Sequence, residues 1–201
     1  MMKYQFVLYT LIIIASSCSR KNENLLSTFI IDESQSAIEW KGSAPDHFHE
    51  GGFSVSGKIH TDTNGNIKDG KFNIPVASIK NFDLPDTIRP QLLDHLKSPD
   101  FFNMVLYPEA GFEIEQVMPY DKPSPDTTHI IRGAFTMLGK TNTISFPAKI
   151  TFENGSIITK SAFSIDRLKW GMTSFSDPEG KLYILPEVEI KLHIKATGNM
   201  Q

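Results

Sequence analysis

DHLKSPDFFNMVLYPEAGFEI, residues 94–114, joins the end of a helix to aromatic segments with the periodicity of strands. The spacing of three and four residues between leucines just before and within it predicts one apolar helix face, made by Leu92, Leu93 and Leu96. Pro99 ends this helix, because proline disfavours the helical conformation of the residue before it. We therefore predict a short helix near residues 90–97.

Strand periodicity follows the helix. Met104 and Leu106 alternate with other residues as in a strand, Pro108 interrupts the run, and Phe112 and Ile114 resume a period of two. A helix placed directly against aromatic strands predicts a lid or plug over a sheet rather than a βαβ unit.

Turn signals divide the rest of the chain into short strands. Asn64-Gly65 and Asn154-Gly155 are typical of tight hairpins, and Gly139 predicts a third turn. The prolines of residues 119–128 predict a loose loop. In the last strand, a dry face of Val188, Ile190, Leu192 and Ile194 alternates with a wet face of charged residues and His193.

Strands with one wet face indicate an antiparallel sheet, and roughly eight of them fit the chain. An open sheet of that size would expose its edges, so closure into a barrel is favoured. The fold class is therefore all-β: an extended eight-stranded antiparallel β-barrel with one short helix. Such a barrel holds either packed side chains or one small ligand.

The N-terminus has the pattern of an export signal. Lys3 precedes an apolar run from Phe6 to Ala15, too short to span a bilayer as a helix, and small residues lead to Cys18. A single cysteine after small residues resembles a bacterial lipobox, which implies acylation of Cys18 and a membrane anchor. We predict a signal peptide over 1–17, a polar tether over 18–27 and a barrel domain over 28–198. A cleaved, soluble periplasmic protein is the alternative.

Composition narrows the class of protein. The 201 residues suffice for one domain with a real core, and the net charge of −3 comes without a basic stripe, so nucleic acid is not an expected partner.

The chain contains 14 phenylalanines. Six phenylalanines and three other apolar residues lie on the apolar side of predicted strands and are candidates for the barrel wall. They are Trp40, Phe53, Val55, Phe72, Phe112, Phe135, Phe146, Phe163 and Ile165. Phe101, Phe102 and Trp170 are expected near one end, where a lid could close. Sequence leaves open whether these side chains surround a cavity or fill the barrel.

Several segments in this order resemble the YceI-like family. They are SAIEW at 36–40, GGFSVSGKI at 51–59, GNIKDGKFNIPVASI at 65–79, HLKSPDFFNMVLYPEAGFEI from His95, IRGAFTMLGKTNTISFPAKITF at 131–152 and FSIDRLKWGM at 163–172. The resemblance covers about Thr28 to Ala196. It implies a lipocalin-like barrel whose long apolar pocket binds an isoprenoid or another long-chain amphiphile, with no other cofactor and no enzyme activity.

Polar candidates for chemistry are few. His47 and His49 lie on the same side of an extended segment and could ligate a metal with Asp46, Glu50 or His60, or could simply be solvated. His95 and Arg167 could contact a ligand headgroup. The alternatives are a bond from His95 to a loop carbonyl and a local ion pair between Arg167 and Asp166.

Three functional hypotheses follow. The first is a lipid-binding barrel at the bacterial cell envelope, lipid-anchored through Cys18 in the periplasm or at the outer membrane. It binds, transports or stores a polyisoprenoid, an isoprenoid quinone or a fatty-acid derivative. The second is a metal-dependent enzyme using His47 and His49. The third is a filled barrel that serves as an interaction or stress-response protein. Homodimer formation is left open by the sequence.

Overall fold

The computed structural model describes residues 26–198, in which antiparallel strands wind around one apolar interior. The predicted signal peptide, Cys18 and the predicted tether up to residue 25 lie outside the described residues. The strands are β1 Ser27–Ile31, β2 Ala37–Ser43, β3 Phe48–Phe53, β4 Ser56–Thr61, β5 Ile67–Pro75, β6 Lys80–Asn81, β7 Glu109–Ser124, β8 Thr127–Met137, β9 Lys140–Glu153, β10 Ser156–Asp166 and β11 Glu187–Gly198. Helix α1 spans Arg89–Lys97, and 3₁₀ turns span Val76–Ser78 and Arg167–Trp170.

The sheet closes on itself, which confirms the predicted all-β, eight-stranded, lipocalin-like barrel. The pairing order is β1-β4-β5-β7-β8-β9-β10-β11, and β11 returns to pair with β1. Because β11 pairs with β1 through Ala196–Gly198 and with β2 through Val188–His193, β1 and β2 together act as one bent barrel strand. β3 and β4 form a second bent strand around Ser54 and Val55.

The three predicted hairpin turns are present. Asn154 and Gly155 have φ values of 50° and 70°, and Leu138 and Gly139 have 52° and 69°. Two successive residues with positive φ produce the turn whose twist matches that of paired strands. Asn64-Gly65 lies between β4 and β5, where Gly65 has φ 82°. These turns fix neighbouring strands in an up-and-down order.

The predicted loose loop over residues 119–128 is wrong. β7 continues to Ser124, and β8 starts at Thr127, so this segment is the tip of a long hairpin in which Pro119 is opposite His129. Within residues 26–198, β5 pairs only with Glu109–Ile114 of β7, so beyond that point β7 pairs with β8 alone. Proline is tolerated there because an edge strand does not need every N–H in the ladder.

The predicted helix near residues 90–97 is confirmed, whereas the predicted strand at Met104 and Leu106 is wrong. Pro90 lies in the first turn of α1, where its missing N–H is not needed, and the helix ends at Lys97. Residues 98–107 then form turns, in which the N–H of Met104 donates to the carbonyl of Lys97 at 3.0 Å. Leu106 is 68% exposed, so it has no buried face to pack.

Alternation of inward and outward residues places the core inside the barrel. On β11, Ile194 and Ala196 are buried while Lys191 and His193 are exposed, as the period of two predicts. α1 lies against β6 at one end of the barrel, with Leu96 buried. Within residues 26–198, neither the length nor the apolar character of any helix suffices to cross a bilayer.

Candidate functional site

The barrel interior contains two adjoining chambers that share part of their lining. We define the outer chamber as the space bordered by α1, the Phe101–Phe102 segment and the β2–β3 ends, with an empty volume of about 1160 Å³. The inner chamber lies deeper between the strands and has an empty volume of about 830 Å³. Both volumes include space at the openings. The chambers meet at a waist formed by residues that line both of them: Ile38, Ile74, Phe135, Ile165 and Ile190.

Helix α1 and the segment after it cover the outer chamber. Leu92 and Leu96 line this chamber from the helix. Phe102 packs edge-to-face on Phe53 with ring centroids 5.5 Å apart, and Phe101 stacks on Phe175 at 5.9 Å. The aromatic pairs therefore tie the lid predicted at Phe101 and Phe102 both to the barrel wall and to the loop before β11.

A row of phenylalanines lines the inner chamber. Phe72, Phe112 and Phe146 follow one another across neighbouring strands, with centroid separations of 6.1 and 5.7 Å. Phe146 stacks on Phe163 at 4.3 Å with only 6° between the ring planes. Thr159 is the polar side chain of the described lining here, so a ligand in this chamber would meet almost entirely hydrocarbon.

The structure brings the sequence-predicted wall residues together, with one exception. Those lining one or both chambers are Trp40, Phe53, Val55, Phe72, Phe101, Phe102, Phe112, Phe135, Phe146, Phe163 and Ile165. Trp170 lines neither, because it is 1% exposed behind Phe135, with its Nε1–H donating to the Phe135 carbonyl at 2.9 Å. Trp170 therefore supports the wall of the cavity from behind.

The partly exposed pair His47 and His49 forms the polar mouth of the outer chamber. Nδ1 of His47 lies 2.6 Å from a carboxylate oxygen of Asp46, and Nδ1 of His49 lies 2.7 Å from Asp83. The hydrogen bond with His47 lowers the pKa of Asp46. Burial alone would raise the pKa of Asp83, but hydrogen bonds from the Glu50 N–H, His49 and Asn81 outweigh it, and the pKa is lowered. Each imidazole is therefore oriented by an ionised carboxylate.

Arg167 does not form the predicted ion pair, and its donors are not free for a headgroup. The side chain is 2% exposed, and burial lowers its pKa. Its five N–H donors all go to backbone carbonyls of the segment before β11: Met172, Ser174, Phe175, Ile184 and Leu185. The Asp166 carboxylate instead accepts from the Leu168 N–H at 2.9 Å. Arg167 therefore holds a loop in place beside the chamber.

His95 also differs from its predicted roles. Its Nε2 lies 3.0 Å from an Asp100 carboxylate oxygen rather than from a loop carbonyl, and its ring packs edge-to-face on Phe101 and Phe175. It lines neither chamber. His95 thus supports the lid from outside.

Sequence reasoning missed the aliphatic part of the lining. Ile59, Ile131 and Ile194 line the inner chamber, and Met172 and Ile184 line the outer one. The strand isoleucines follow the same alternation as the chosen aromatic residues, so that signal could have identified them. Asp83 is 34 residues from its partner His49, and no local pattern connects the two.

The proposed metal site lacks a third ligand in the described part of the chain. The rings of His47 and His49 are 5.5 Å apart between centroids, but no group of three or more His, Cys, Asp or Glu residues among residues 26–198 is arranged to hold a metal ion. Of the suggested third ligands, Asp46 already binds His47, and the nearest carboxylate to His60 Nδ1 is Asp69 at 2.5 Å.

Comparison with known proteins agrees with this architecture. The crystal structure of Burkholderia cenocepacia BcnA is similar, with a TM-score of 0.68 and 22% identity, over 83% of this chain and 99% of that one. The crystal structure of a Campylobacter jejuni YCEI protein gives a TM-score of 0.56 and 17% identity over 73% of this chain and 82% of that one. No match was found among curated proteins. Residues 29–196 match the profile of the YceI-like domain, so the chain belongs to the YceI-like family.

Proposed function

We propose that this protein binds one long-chain amphiphile in the two chambers, as a carrier or store of a polyisoprenoid, an isoprenoid quinone or a fatty-acid derivative. The observation that carries this proposal is the pair of adjoining apolar chambers, the outer one reaching the mouth at His47 and His49 and sharing part of its lining with the inner one. A side-chain-filled barrel would leave no such space. The function is binding rather than chemical conversion of the ligand.

The expected affinity follows from the apolar lining. Burial of ten methylene groups contributes about 8 kcal/mol of transfer free energy, which corresponds to a Kd of about 1 µM before ordering costs. A longer tail that reaches both chambers gains more, while ordering of the tail and of the lid opposes binding. The chambers therefore suit long tails better than short ones.

The test is native mass spectrometry of gently purified full chain, followed by extraction and identification of any bound lipid. We expect a lipid adduct on the wild type. Gly42 lines the mouth, and a Cβ added there meets no atom within 4 Å, so Gly42→Ala should retain the adduct while the larger ring of Gly42→Phe should obstruct access and reduce it. A wild type that carries no lipid in any preparation and takes none up from micelles would refute the function.

We further propose that the protein works at the bacterial cell envelope, attached to a membrane through acylated Cys18. The apolar run and the small residues before Cys18 support this location. The mass of the N-terminal peptide after proteolysis tests it, because acylation adds the mass of fatty chains to a peptide that begins at Cys18. Recovery of the wild type in the soluble fraction, with an unmodified peptide, would contradict the anchor.

A further inference from the structure

The wall between β9 and β10 is paired by main-chain hydrogen bonds along only part of its length. Among residues 26–198, the two strands pair from their turn as far as Lys149 and Lys160. Beyond that point both strands continue, β9 against β8 and β10 against β11. Residues Ser161–Asp166 therefore have one ladder partner instead of two, over about 20 Å at about 3.3 Å per residue. We define the seam as the interval between residues 140–148 of β9 and residues 161–166 of β10.

Pro147 explains why the pairing stops where it does. The register of β9 and β10 runs up to Lys149 and Lys160. Its next hydrogen-bonded pair would be Pro147 and Ala162, in which each residue donates its N–H to the carbonyl of the other. Proline has no N–H, so this pair cannot form. The Ser161 hydroxyl instead donates to the Pro147 carbonyl at 2.5 Å, so one side-chain hydrogen bond takes the place of the ladder where the seam begins.

Two phenylalanine rings close the seam on the side of the inner chamber. Phe146 and Phe163 would be opposite each other if the register continued, and their rings stack with centroids 4.3 Å apart and 6° between planes. Both rings line the inner chamber, as do Ile144 and Ile165, which lie two residues further along the strands. Among the described residues, apolar side chains rather than ladder hydrogen bonds therefore separate the inner chamber from the outside of the barrel here.

Both ends of the seam are held together, so it can open in the middle while the barrel stays closed elsewhere. The paired part of β9 and β10 holds one end. At the other end, the side-chain amide of Asn142 donates to the Lys169 carbonyl at 3.2 Å. Opening requires rotation of the two stacked rings and loss of the hydrogen bond from Ser161, and no ladder hydrogen bond has to break.

The route through the mouth has more obstacles for a tail that binds in the inner chamber. It passes under α1 and the Phe101–Phe102 segment, crosses the outer chamber and then passes the waist. Arg167 fixes the loop beside this route with hydrogen bonds to five backbone carbonyls. The seam, by contrast, leads from the outside of the barrel directly to the inner chamber.

We propose that the seam is an entry site in the side wall, through which the hydrocarbon tail of the amphiphile passes into and out of the inner chamber. This inference rests on the proposed function and adds the route by which its ligand is loaded. A hydrocarbon tail needs no hydrogen bonds, so it can pass between the rings of Phe146 and Phe163 without leaving a polar group of its own unpaired. Pro147 keeps this route available, because it prevents the ladder from closing.

The experiment measures the rates of loading and release with cis-parinaric acid, a long-chain fatty acid whose fluorescence rises in apolar surroundings. Delipidated full chain is mixed with the probe, and loaded protein is mixed with excess phosphatidylcholine vesicles, both by stopped flow. Ser145→Cys/Ser164→Cys places two thiols at exposed positions on either side of the seam. Oxidation joins them, and a methylene-bridged bismethanethiosulfonate crosslinker does so if the sulfurs are too far apart for a disulfide. The mass of the joined peptides confirms the crosslink.

A closed seam should slow loading and release by the same factor. We expect the crosslink to reduce both rates at least about tenfold, and dithiothreitol to restore them. The Kd should stay within about twofold, because a barrier on the path changes the association and dissociation rates equally. A merely structural effect of the substitutions would instead change the Kd or persist after reduction.

A second variant and two matched controls separate the seam from its surroundings. Lys149→Cys/Lys160→Cys joins the same strands where the ladder already pairs them, so its crosslink should change neither rate. Pro147→Thr supplies the missing N–H and should slow both rates about 3- to 10-fold, the range for one hydrogen bond. Pro119→Thr, on β7 away from the seam, should change neither rate.

The outcomes distinguish the entry site from the carrier function. If the wild type binds neither cis-parinaric acid nor geranylgeraniol, the carrier function fails and the entry site fails with it. If the probe binds, but the crosslinked seam exchanges it as fast as the reduced protein, or Pro147→Thr exchanges it as fast as the wild type, the entry site is overturned while the carrier function stands.

Discussion

Replacing Ala110 with phenylalanine would introduce an aromatic ring into the channel near its waist. Ala110 is 7% exposed, lines the outer chamber and is opposite Ile74, which borders both chambers. The ring enters this space without displacing a neighbour. The stability of the ligand-free protein should then stay the same or rise by up to about 2 kcal/mol, since burial of a large apolar side chain contributes about 1.5–3 kcal/mol.

Ala148 provides the matched control. It is 1% exposed on the inner side of β9 and lines neither chamber. Extra volume at a packed site costs about 1–3 kcal/mol, so Ala148→Phe should be destabilised where Ala110→Phe is not. For a protein of this size, each kcal/mol corresponds to a change in Tm of about 2–4 °C, which thermal and urea unfolding resolve readily.

Ligand binding gives the second measurement on Ala110→Phe. The lining on β11 runs below the waist from Ile190 to Ile194, about 13 Å at about 3.3 Å per residue. A tail that loses this length leaves about ten methylenes unburied, a gross loss of about 8 kcal/mol. If ordering costs reduce it to about 2 kcal/mol, the Kd still rises about 30-fold.

The assay compares geranylgeraniol with geraniol, whose tail is half as long and fits the outer chamber alone. Ala110→Phe should weaken geranylgeraniol by at least about 30-fold and geraniol by a smaller factor, because only the longer tail reaches below the waist. Equal destabilisation of Ala110→Phe and Ala148→Phe, together with unchanged binding of both alcohols, would refute the hollow interior.

Three further changes test the framework around the site. Arg167→Lys replaces five fixed donors with three and leaves buried carbonyls without partners, so urea unfolding should show a loss of about 2–4 kcal/mol; an unchanged midpoint would contradict this role. A Cβ on Gly51 would lie 1.8 Å from the Lys80 carbonyl oxygen, whereas one on Gly42 meets nothing within 4 Å, so Gly51→Ala should be destabilised by more than about 2 kcal/mol and Gly42→Ala hardly at all. Burial lowers the pKa of His129 below its usual 6.5. As the pH falls through 6.5, the unfolded chain therefore binds a proton that the folded chain does not yet bind, and the free energy of unfolding decreases. His129→Phe should reduce the drop in unfolding free energy between pH 8 and pH 5; an identical drop in both proteins would exclude this contribution.

Local patterns predicted the barrel because its determinants are local. Asn154-Gly155 specifies a tight turn by its positive φ values, and Pro99 specifies the end of α1 through the conformation of the preceding residue. The alternation on β11 follows from one dry and one wet face. Each of these features depends on a few neighbouring residues, so the sequence alone determined the hairpins and the helix.

Patterns failed where a short run permits more than one structure. Met104 and Leu106 alternate as a strand would, but turn hydrogen bonds hold residues 98–107 and leave Leu106 exposed. The prolines of residues 119–128 resemble a loop, but β7 tolerates them where β8 is its single neighbour in the described part of the chain. Whether a segment has one partner or two is a property of the whole sheet.

The character of the site depended on tertiary structure. Inward-facing residues were predictable from sequence, but whether they meet in the middle depends on how far apart the walls stand, and that distance is set by barrel closure. Asp83 reaches His49, and Arg167 reaches five carbonyls, only after distant segments are brought together. The sequence by itself determined which side chains face inward; the closed sheet decided that they surround a space, because hydrogen-bonded strands fix the width of a barrel regardless of how well its side chains fill it.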